Sequence, residues 1–154
     1  MSEFRIEKGR TAVVLTMTGA GTISGEMFVQ ANSRHRTGPE HPEDILNDGE
    51  PFFPMVLESG ETLLIAKDQV LEAEMQDTTI ESLLENGAVR PAAVELTLAG
   101  GASRTGTLFL EIRADRPRLL DFLNKFDHRF FLLHSSNGVR LINRHYIEHV
   151  RPLD

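Results

Sequence analysis

The sequence predicts a mainly β protein made of two pseudo-equivalent five-stranded small barrels, each with a short helix. Three features lead to this prediction: the chain repeats itself, its apolar residues alternate with polar ones, and glycine-containing turns separate the alternating runs. The phrase Asp44-Ile45-Leu46-Asn47, followed by Phe52-Phe53, returns as Asp121-Phe122-Leu123-Asn124, followed by Phe130-Phe131. An internal duplication explains this agreement better than independent coincidence does.

The first two strands of each copy are predicted from period-two alternation and an internal glycine. Val13, Leu15 and Met17 alternate with Val14, Thr16 and Thr18, and Gly19 follows as a turn signal. A second strand runs from Ile23 to Ala31, and Gly25 inside it predicts a bulge or a bend. The second copy repeats the pattern 81 residues later, where the matching residues are Val94, Leu96, Leu98, Gly100 and Gly106.

A polar loop and a short helix follow in each copy. Residues 32–42 are rich in turn formers, and the equivalent loop, centred on residues 113–117, is four residues shorter. Apolar residues spaced three and four apart then predict a short helix over 43–47 and over 118–124. The repeated Asp-x-Leu-Asn phrase could mark a binding edge, but we favour a structural role. In that role Asp caps or salt-links the helix, Leu packs inward, and Asn ends the helix in the left-handed conformation.

Three further strands complete each copy. Phe52–Leu57 and Phe130–His134 each lead into a glycine-containing hairpin turn and a return strand. A short polar step then precedes the last strand, in which Val70 is matched by Ile147. The predicted organisation is a first barrel over residues 1–75, a linker with a possible short helix over 76–90, and a second barrel over 91–154. Closure into a barrel would protect the edges of such short sheets.

This strand order resembles that of SH3-like and Sm-like barrels. Residues 13–19 with Gly25 look like the first Sm motif, and residues 63–70 are similar in rhythm to the second. The Sm pattern places Arg-Gly in its second motif, and the resemblance implies that these positions form the base pocket. At these positions the chain has Ala66-Lys67 and Asn143-Arg144. The resemblance therefore implies the barrel and not the RNA-binding pocket, and it points to no characterised protein.

Composition and charge exclude several classes of function. The 154 residues contain no cysteine, so disulfides and thiolate chemistry are excluded. No run approaches the ~18 apolar residues of a membrane span, and the first residues lack an apolar signal core, so we expect a cytoplasmic protein without a membrane partner. The net charge of −7 disfavours nucleic acid as a partner without excluding a local basic patch.

The candidate binding residues are the basic residues of the two variable loops. Arg34, His35 and Arg36 lie in the first loop, and Arg113, Arg116 and Arg118 lie in or directly after the second. They could form an anion-binding face, whereas the nearby acidic residues favour solvated loops. No aromatic residues interleave with these arginines, so a base-stacking platform is missing.

No metal, cofactor or catalytic site is predicted. His145 and His149 are four apart, but in a turn and strand this spacing separates them by about 13 Å, too far to share an ion. No nucleophile elbow, P-loop or zinc-protease motif occurs. The sequence therefore favours a non-enzymatic interaction or regulatory module that binds protein through loops and edges, with homo-oligomers possible. The alternative is an Sm-like nucleic-acid-binding protein that uses the arginine loops, which salt-dependent RNA binding would reveal.

Overall fold

The structure is a computed structural model that describes residues 8–19, 21–30, 40–75, 89–111, 119–125, 128–136 and 138–153. Over these ranges the chain is mainly β, as the sequence predicts, with ten antiparallel strands, two short α-helices and two 3₁₀ turns. The chain divides into two compact units, Met1–Met75 and Gln76–Asp154. The predicted linker at 76–90 lies outside the described residues except for 89–90, which begin a strand.

The first unit contains five strands in the order β5-β1-β2-β3-β4. Helix α1 (Pro42–Leu46) lies in the connection from β2 to β3, and a 3₁₀ turn (Lys67–Gln69) joins β4 to β5. The strands are β1 (Lys8–Met17), β2 (Thr22–Gln30), β3 (Phe52–Leu57), β4 (Thr62–Ala66) and β5 (Val70–Met75).

The second unit has the equivalent order, β10-β6-β7-β8-β9. Helix α2 (Leu119–Lys125) lies between β7 and β8, and a 3₁₀ turn (Arg144–Tyr146) joins β9 to β10. The strands are β6 (Val89–Leu98), β7 (Ser103–Glu111), β8 (Phe130–Ser135), β9 (Gly138–Asn143) and β10 (Ile147–Pro152).

The predicted closure of each unit into a barrel is corrected by the strand pairing. Among the described residues, no ladder joins β4 to β5 or β9 to β10, so the two strands that closure would bring together stand at opposite ends of the order within their unit. The two strands are joined by a 3₁₀ turn and not by a hairpin, so they leave the turn without pairing to each other, and β5 pairs with β1 while β10 pairs with β6. In the first unit the Thr18 N–H donates to the Gln69 carbonyl, which fixes this turn beside the end of β1.

Alternation along the strands builds the core of each unit. Val13 and Leu15 are buried at 2% and 0% exposure, whereas Val14 between them is 37% exposed, which confirms the predicted period of two. The core of the second unit is a cluster of buried apolar residues on which α2 packs. Its fully buried members are Val94, Leu96, Leu98, Leu108, Leu110, Phe131, Leu133 and Ile142.

Gly25 and Gly106 mark close approaches between backbones, and of the bulge or bend predicted at Gly25, the bulge is absent. The β1–β2 register continues unbroken through Gly25, which pairs with Val13. A Cβ at Gly25 would lie 2.5 Å from the Val56 carbonyl oxygen, and a Cβ at Gly106 would lie 2.5 Å from the His134 carbonyl oxygen. Only glycine therefore allows the third strand of each unit to approach the second this closely.

Helix α1 has the cap by Asp44 that the sequence predicts, but it begins at Pro42, inside the predicted loop 32–42. Pro42 opens α1, where a missing N–H costs nothing, and the Asp44 carboxylate accepts a hydrogen bond of 2.9 Å from the His41 N–H. Asn47 ends α1 with φ −98° and ψ 0°, so the predicted left-handed cap is wrong. In the second unit α2 continues one residue beyond Asn124. None of the described helices is long and apolar enough to cross a membrane.

Candidate interaction surface

All six of the basic residues predicted to bind a ligand lie outside the described residues. Arg34, His35 and Arg36 fall in 31–39, and Arg113, Arg116 and Arg118 fall in 112–118. The ends of the first of these loops are described and are held together. The Gln30 N–H donates to the Glu40 carboxylate at 3.0 Å, and the Glu40 N–H donates to the Gln30 carbonyl at 2.8 Å. The binding role of the arginine loops stays a prediction.

The described part of the first unit presents an apolar surface on the β3–β4 hairpin. Alternation in β3 turns Phe53 and Met55 into the core, at 2% and 0% exposure, so Phe52 and Pro54 point outwards. Strand register places Pro54 opposite Leu64, and Leu64 is 72% exposed while Phe52 is 57% exposed. We refer to Phe52, Pro54 and Leu64 as the hairpin face.

Pro54 is compatible with strand β3 because of where the neighbouring ladder ends. The β2–β3 ladder covers Met55, Val56 and Leu57, and Pro54 lies one residue beyond it. A residue without an N–H is tolerated where a ladder stops. The hairpin face therefore lies where β3 has left β2 and is paired with β4 alone.

Exposed acidic residues flank the residues of the hairpin face in the sequence. Five acidic residues between positions 48 and 68, a stretch that the structure describes throughout, are exposed: Asp48, Glu50, Glu58, Glu61 and Asp68. The one cation in this stretch, Lys67, is 1% exposed and donates from Nζ to Oδ1 of Asp48. The same oxygen accepts the Glu50 N–H at 2.8 Å. All of the exposed charged residues in this stretch are therefore acidic.

The buried Lys67 also bears on the resemblance to the Sm pattern. Lys67 opens the 3₁₀ turn, its side chain is bound to Asp48, and its N–H donates to the Pro51 carbonyl. In the second unit Asn143 is 1% exposed, and its side-chain oxygen accepts the His145 N–H at 3.1 Å. The positions that correspond to the base pocket of the Sm pattern thus include Lys67 and Asn143, whose side chains stabilise the two 3₁₀ turns.

The equivalent hairpin of the second unit is covered on both faces. Phe130 and Leu141 occupy the positions of Phe52 and Leu64, and both are 0% exposed. His134 on the same hairpin is 7% exposed and contacts the Phe109 ring edge to face at 4.8 Å between centroids. An apolar outer face is therefore buried in one unit and open in the other.

Charge divides unevenly between the units. Residues 1–75 contain 6 Lys and Arg against 13 Asp and Glu, whereas residues 76–154 contain 10 of each. The whole net charge of −7 therefore belongs to the first unit, and the second is neutral overall. A basic surface would be attracted to the first unit at long range.

The histidines are not gathered into a metal site in the described residues. His145 lies in the 3₁₀ turn and His149 in β10, on opposite sides of an irregularity in the β10–β6 register. Across the part of the chain that the structure describes, no three His, Asp or Glu side chains are placed to hold one metal ion.

The hairpin face is not predicted from the sequence. Phe52-Phe53 and Phe130-Phe131 are identical pairs, so the sequence gives no reason for one to be exposed and the other buried. Strand β4 (Thr62–Ala66) gives a weaker indication of an interaction surface. It contains no charged residue that would prevent an apolar edge strand from associating with another strand. No protein-family model, curated protein or solved structure matches this chain.

Proposed function

We propose that the chain is a non-enzymatic interaction module made of two diverged copies of one β unit, and that the hairpin face of the first copy is its main binding surface. One observation carries this proposal: Phe52 and Leu64 are exposed on an edge hairpin whose two strands contain no charged residue, while their counterparts Phe130 and Leu141 are fully buried. Exposed apolar patches rimmed by polar residues are typical of protein–protein interaction sites.

Equivalent hydrogen bonds support the duplication within this proposal. Both units use the SH3-like or Sm-like strand order in an open form, and three backbone hydrogen bonds recur at matching positions. In the first unit they are Met17 N–H to Gly21 O, Thr18 N–H to Gln69 O and Lys67 N–H to Pro51 O. In the second they are Leu98 N–H to Ala102 O, Ala99 N–H to Tyr146 O and Arg144 N–H to Arg129 O.

Burial of the hairpin face by a partner would contribute enough free energy to support binding. Complete burial of a Leu or Phe side chain contributes about 1.5–3 kcal/mol. Scaled by exposures of 72% and 57%, Leu64 and Phe52 would each contribute about 1–2 kcal/mol when a partner covers them. Together with ladder hydrogen bonds along β4, this fits a protein partner that adds a strand or packs an apolar surface on the hairpin.

The acidic rim favours protein over nucleic acid as the partner of this surface. Exposed carboxylates at Glu50, Glu58 and Glu61 would repel phosphates that approach the hairpin face. Nucleic-acid binding would have to use the arginine loops instead. Fluorescence anisotropy with mixed RNA oligonucleotides at low salt separates the two, since binding that weakens steeply with salt would support the nucleic-acid alternative.

Photocrosslinking tests the proposed function directly. The chain is produced in its native cell with the photoreactive residue p-benzoylphenylalanine at position 52, and products are identified by mass spectrometry. The matched control carries the same residue at Leu120, which is 66% exposed on helix α2. We expect a specific protein crosslink from position 52 that position 120 does not give. If both positions give the same products, or neither gives any, the hairpin face is not an interaction surface.

A further inference from the structure

Strand β4 is an edge strand of the first unit. Among the strands that the structure describes, it is hydrogen-bonded to β3 alone, and its sequence, Thr62-Leu63-Leu64-Ile65-Ala66, contains no charged residue, proline or glycine. Its register with β3 continues without a shift. Charges, proline and bulges are the usual devices that prevent an edge strand from pairing with another chain. Strand β4 has none of these devices, so its open side is able to accept another strand.

The hydrogen bonds at the two ends of the β3–β4 hairpin define its ladder. At the turn the Leu57 N–H donates to the Glu61 carbonyl at 2.8 Å. At the opposite end the Lys67 N–H donates to the Pro51 carbonyl at 2.9 Å. Hydrogen-bonded and non-hydrogen-bonded pairs alternate along an antiparallel ladder. Both ends therefore indicate that the odd-numbered residues of β4 are the ones bonded to β3.

The even-numbered residues of β4, Thr62, Leu64 and Ala66, direct their N–H and carbonyl groups to the open side of the strand. Their side chains lie on the outer face of the hairpin, because successive residues of a strand point to opposite faces and Leu64 is 72% exposed whereas Ile65 is 4% exposed. A strand added along β4 therefore gains ladder hydrogen bonds from these three residues. It also places its own side chains beside Leu64, on the hairpin face.

Acidic residues lie at both ends of this open side. At the hairpin turn Glu58 and Glu61 are exposed. At the opposite end Glu50 and Asp68 are exposed, and the backbone hydrogen bond between their neighbours in the chain places them on adjacent strands. The cation beside Asp68, Lys67, is 1% exposed and does not offset these charges at the surface. The strand between the two ends spans about 17 Å.

We infer that β4 binds an extended segment of a partner protein, with apolar residues in its centre and basic residues at both ends, and that this segment is added to the sheet as a further strand. The inference rests on the proposed function and names the chemistry of its partner. The apolar centre covers Leu64 and Phe52, and the backbone pairs with the open groups of β4. The basic ends lie beside the carboxylates, which disfavour an acidic segment of the same shape.

Fluorescence anisotropy of labelled synthetic peptides with the full chain tests the inference. The first peptide, Lys-Lys-Val-Thr-Val-Thr-Val-Lys-Lys, has the proposed chemistry. In the second peptide glutamates replace the lysines, which reverses the charge at both ends. In the third, N-methyl groups replace the backbone amide hydrogens of the central residues, which prevents their ladder hydrogen bonds and keeps the charge. We expect the first peptide to bind at least about tenfold more tightly than either of the others.

Variants of the chain show whether the peptide lies on β4. Leu64→Ser removes the apolar side chain of the hairpin face, and Leu120→Ser is its control, since Leu120 is 66% exposed on helix α2. We expect Leu64→Ser to raise the dissociation constant of the lysine peptide by about tenfold and Leu120→Ser to leave it unchanged. Circular dichroism verifies that each variant is folded, as expected for substitutions of exposed side chains.

A double variant, Glu58→Lys with Glu61→Lys, tests the role of charge at the turn. Both side chains are exposed, so we expect the fold to be retained. This variant should bind the lysine peptide more weakly than the unchanged chain does, and it should bind the glutamate peptide more tightly. Unchanged affinity for both peptides would overturn the charge complementarity on which the inference depends.

The other contrary results are distinguishable from one another. Equal binding of the N-methylated peptide overturns strand addition, and equal binding of the lysine peptide to Leu64→Ser and Leu120→Ser places the contact outside β4. If no peptide binds, the proposed partner chemistry is wrong. The crosslink from position 52 then decides the proposed function: a crosslink to another protein retains the hairpin face as an interaction surface, a crosslink between two copies assigns it to self-association, and the absence of a crosslink removes it.

Discussion

Replacing Gly25 by alanine would place a methyl group against the backbone of strand β3. The new Cβ would lie 2.5 Å from the Val56 carbonyl oxygen and 3.0 Å from Cε of Met55. The methionine side chain can move, but the carbonyl belongs to a strand that is paired on both sides, with β2 and with β4. The strain therefore falls on the sheet.

The size of the effect follows from that distance. The closest normal separation of a carbon and an oxygen atom is about 3.3 Å, so β2 and β3 must separate locally by about 0.8 Å. Overpacking of this kind costs about 1–3 kcal/mol, while the reduced freedom of the unfolded chain returns about 0.4–1 kcal/mol. We expect the free energy of unfolding of Gly25→Ala to be lower by about 1–2 kcal/mol.

Urea unfolding followed by circular dichroism measures this change, and the chain offers both a repeat of the test and a control. A Cβ at Gly106 would lie 2.5 Å from the His134 carbonyl oxygen and 2.9 Å from Cγ of Leu133, so Gly106→Ala should destabilise at least as much. Gly19 has nothing within 4 Å and no positive φ, so Gly19→Ala should leave stability unchanged or raise it by up to about 1 kcal/mol.

The reasoning is refuted if Gly25→Ala behaves like Gly19→Ala. Equal stability of those two variants would mean that β2 and β3 do not approach as closely as described. A large loss for Gly25→Ala without a loss for Gly106→Ala would contradict the equivalence of the two units.

Three further predictions concern packing and buried charge, and urea unfolding measures each. Asp48→Ala should lower the free energy of unfolding by about 3 kcal/mol, because it leaves the buried Lys67 ammonium without its carboxylate. Lys67→Met should cost less, because methionine removes the charge and keeps an apolar chain in the place of the lysine stem. The reverse order would contradict the ion pair between Asp48 and the buried Lys67. Asp44→Ala should lower stability by about 1 kcal/mol through loss of its hydrogen bond at the start of α1, and no change would show that this bond does not support the helix. Leu141→Ala should cost about 2–5 kcal/mol and Leu64→Ala less than about 0.5 kcal/mol, and similar costs would contradict the difference in burial.

Much of the local fold follows from the sequence because alternation reports burial directly. The pattern around Val13 and Leu15 places both in the core and leaves Val14 outside. Asp44 likewise indicates the capped start of α1. A local pattern does not encode whether the first and last strands of a sheet meet, so the barrel prediction was wrong. The position of β5 is set by its pairing with β1, which joins distant parts of the sequence.

The candidate surface could not be predicted for a related reason. Phe52 and Phe130 occupy equivalent places in the repeat and begin identical Phe-Phe pairs, yet one is 57% exposed and the other 0%. Exposure of a sheet's outer face depends on what packs over it, which is a tertiary property. The charge of the arginine loops is evident from the sequence, whereas the exposure of an apolar residue is not.

Hydrogen exchange of the chain alone and with the protein that crosslinks from position 52 tests the central claim most directly. Amides of β4 (Thr62–Ala66) that do not pair with β3 should exchange quickly in the chain alone, because β4 pairs with β3 alone among the described strands. An excess of that protein should slow their exchange by mass action. Unchanged exchange in β4 together with protection elsewhere would contradict the hairpin face as the binding surface.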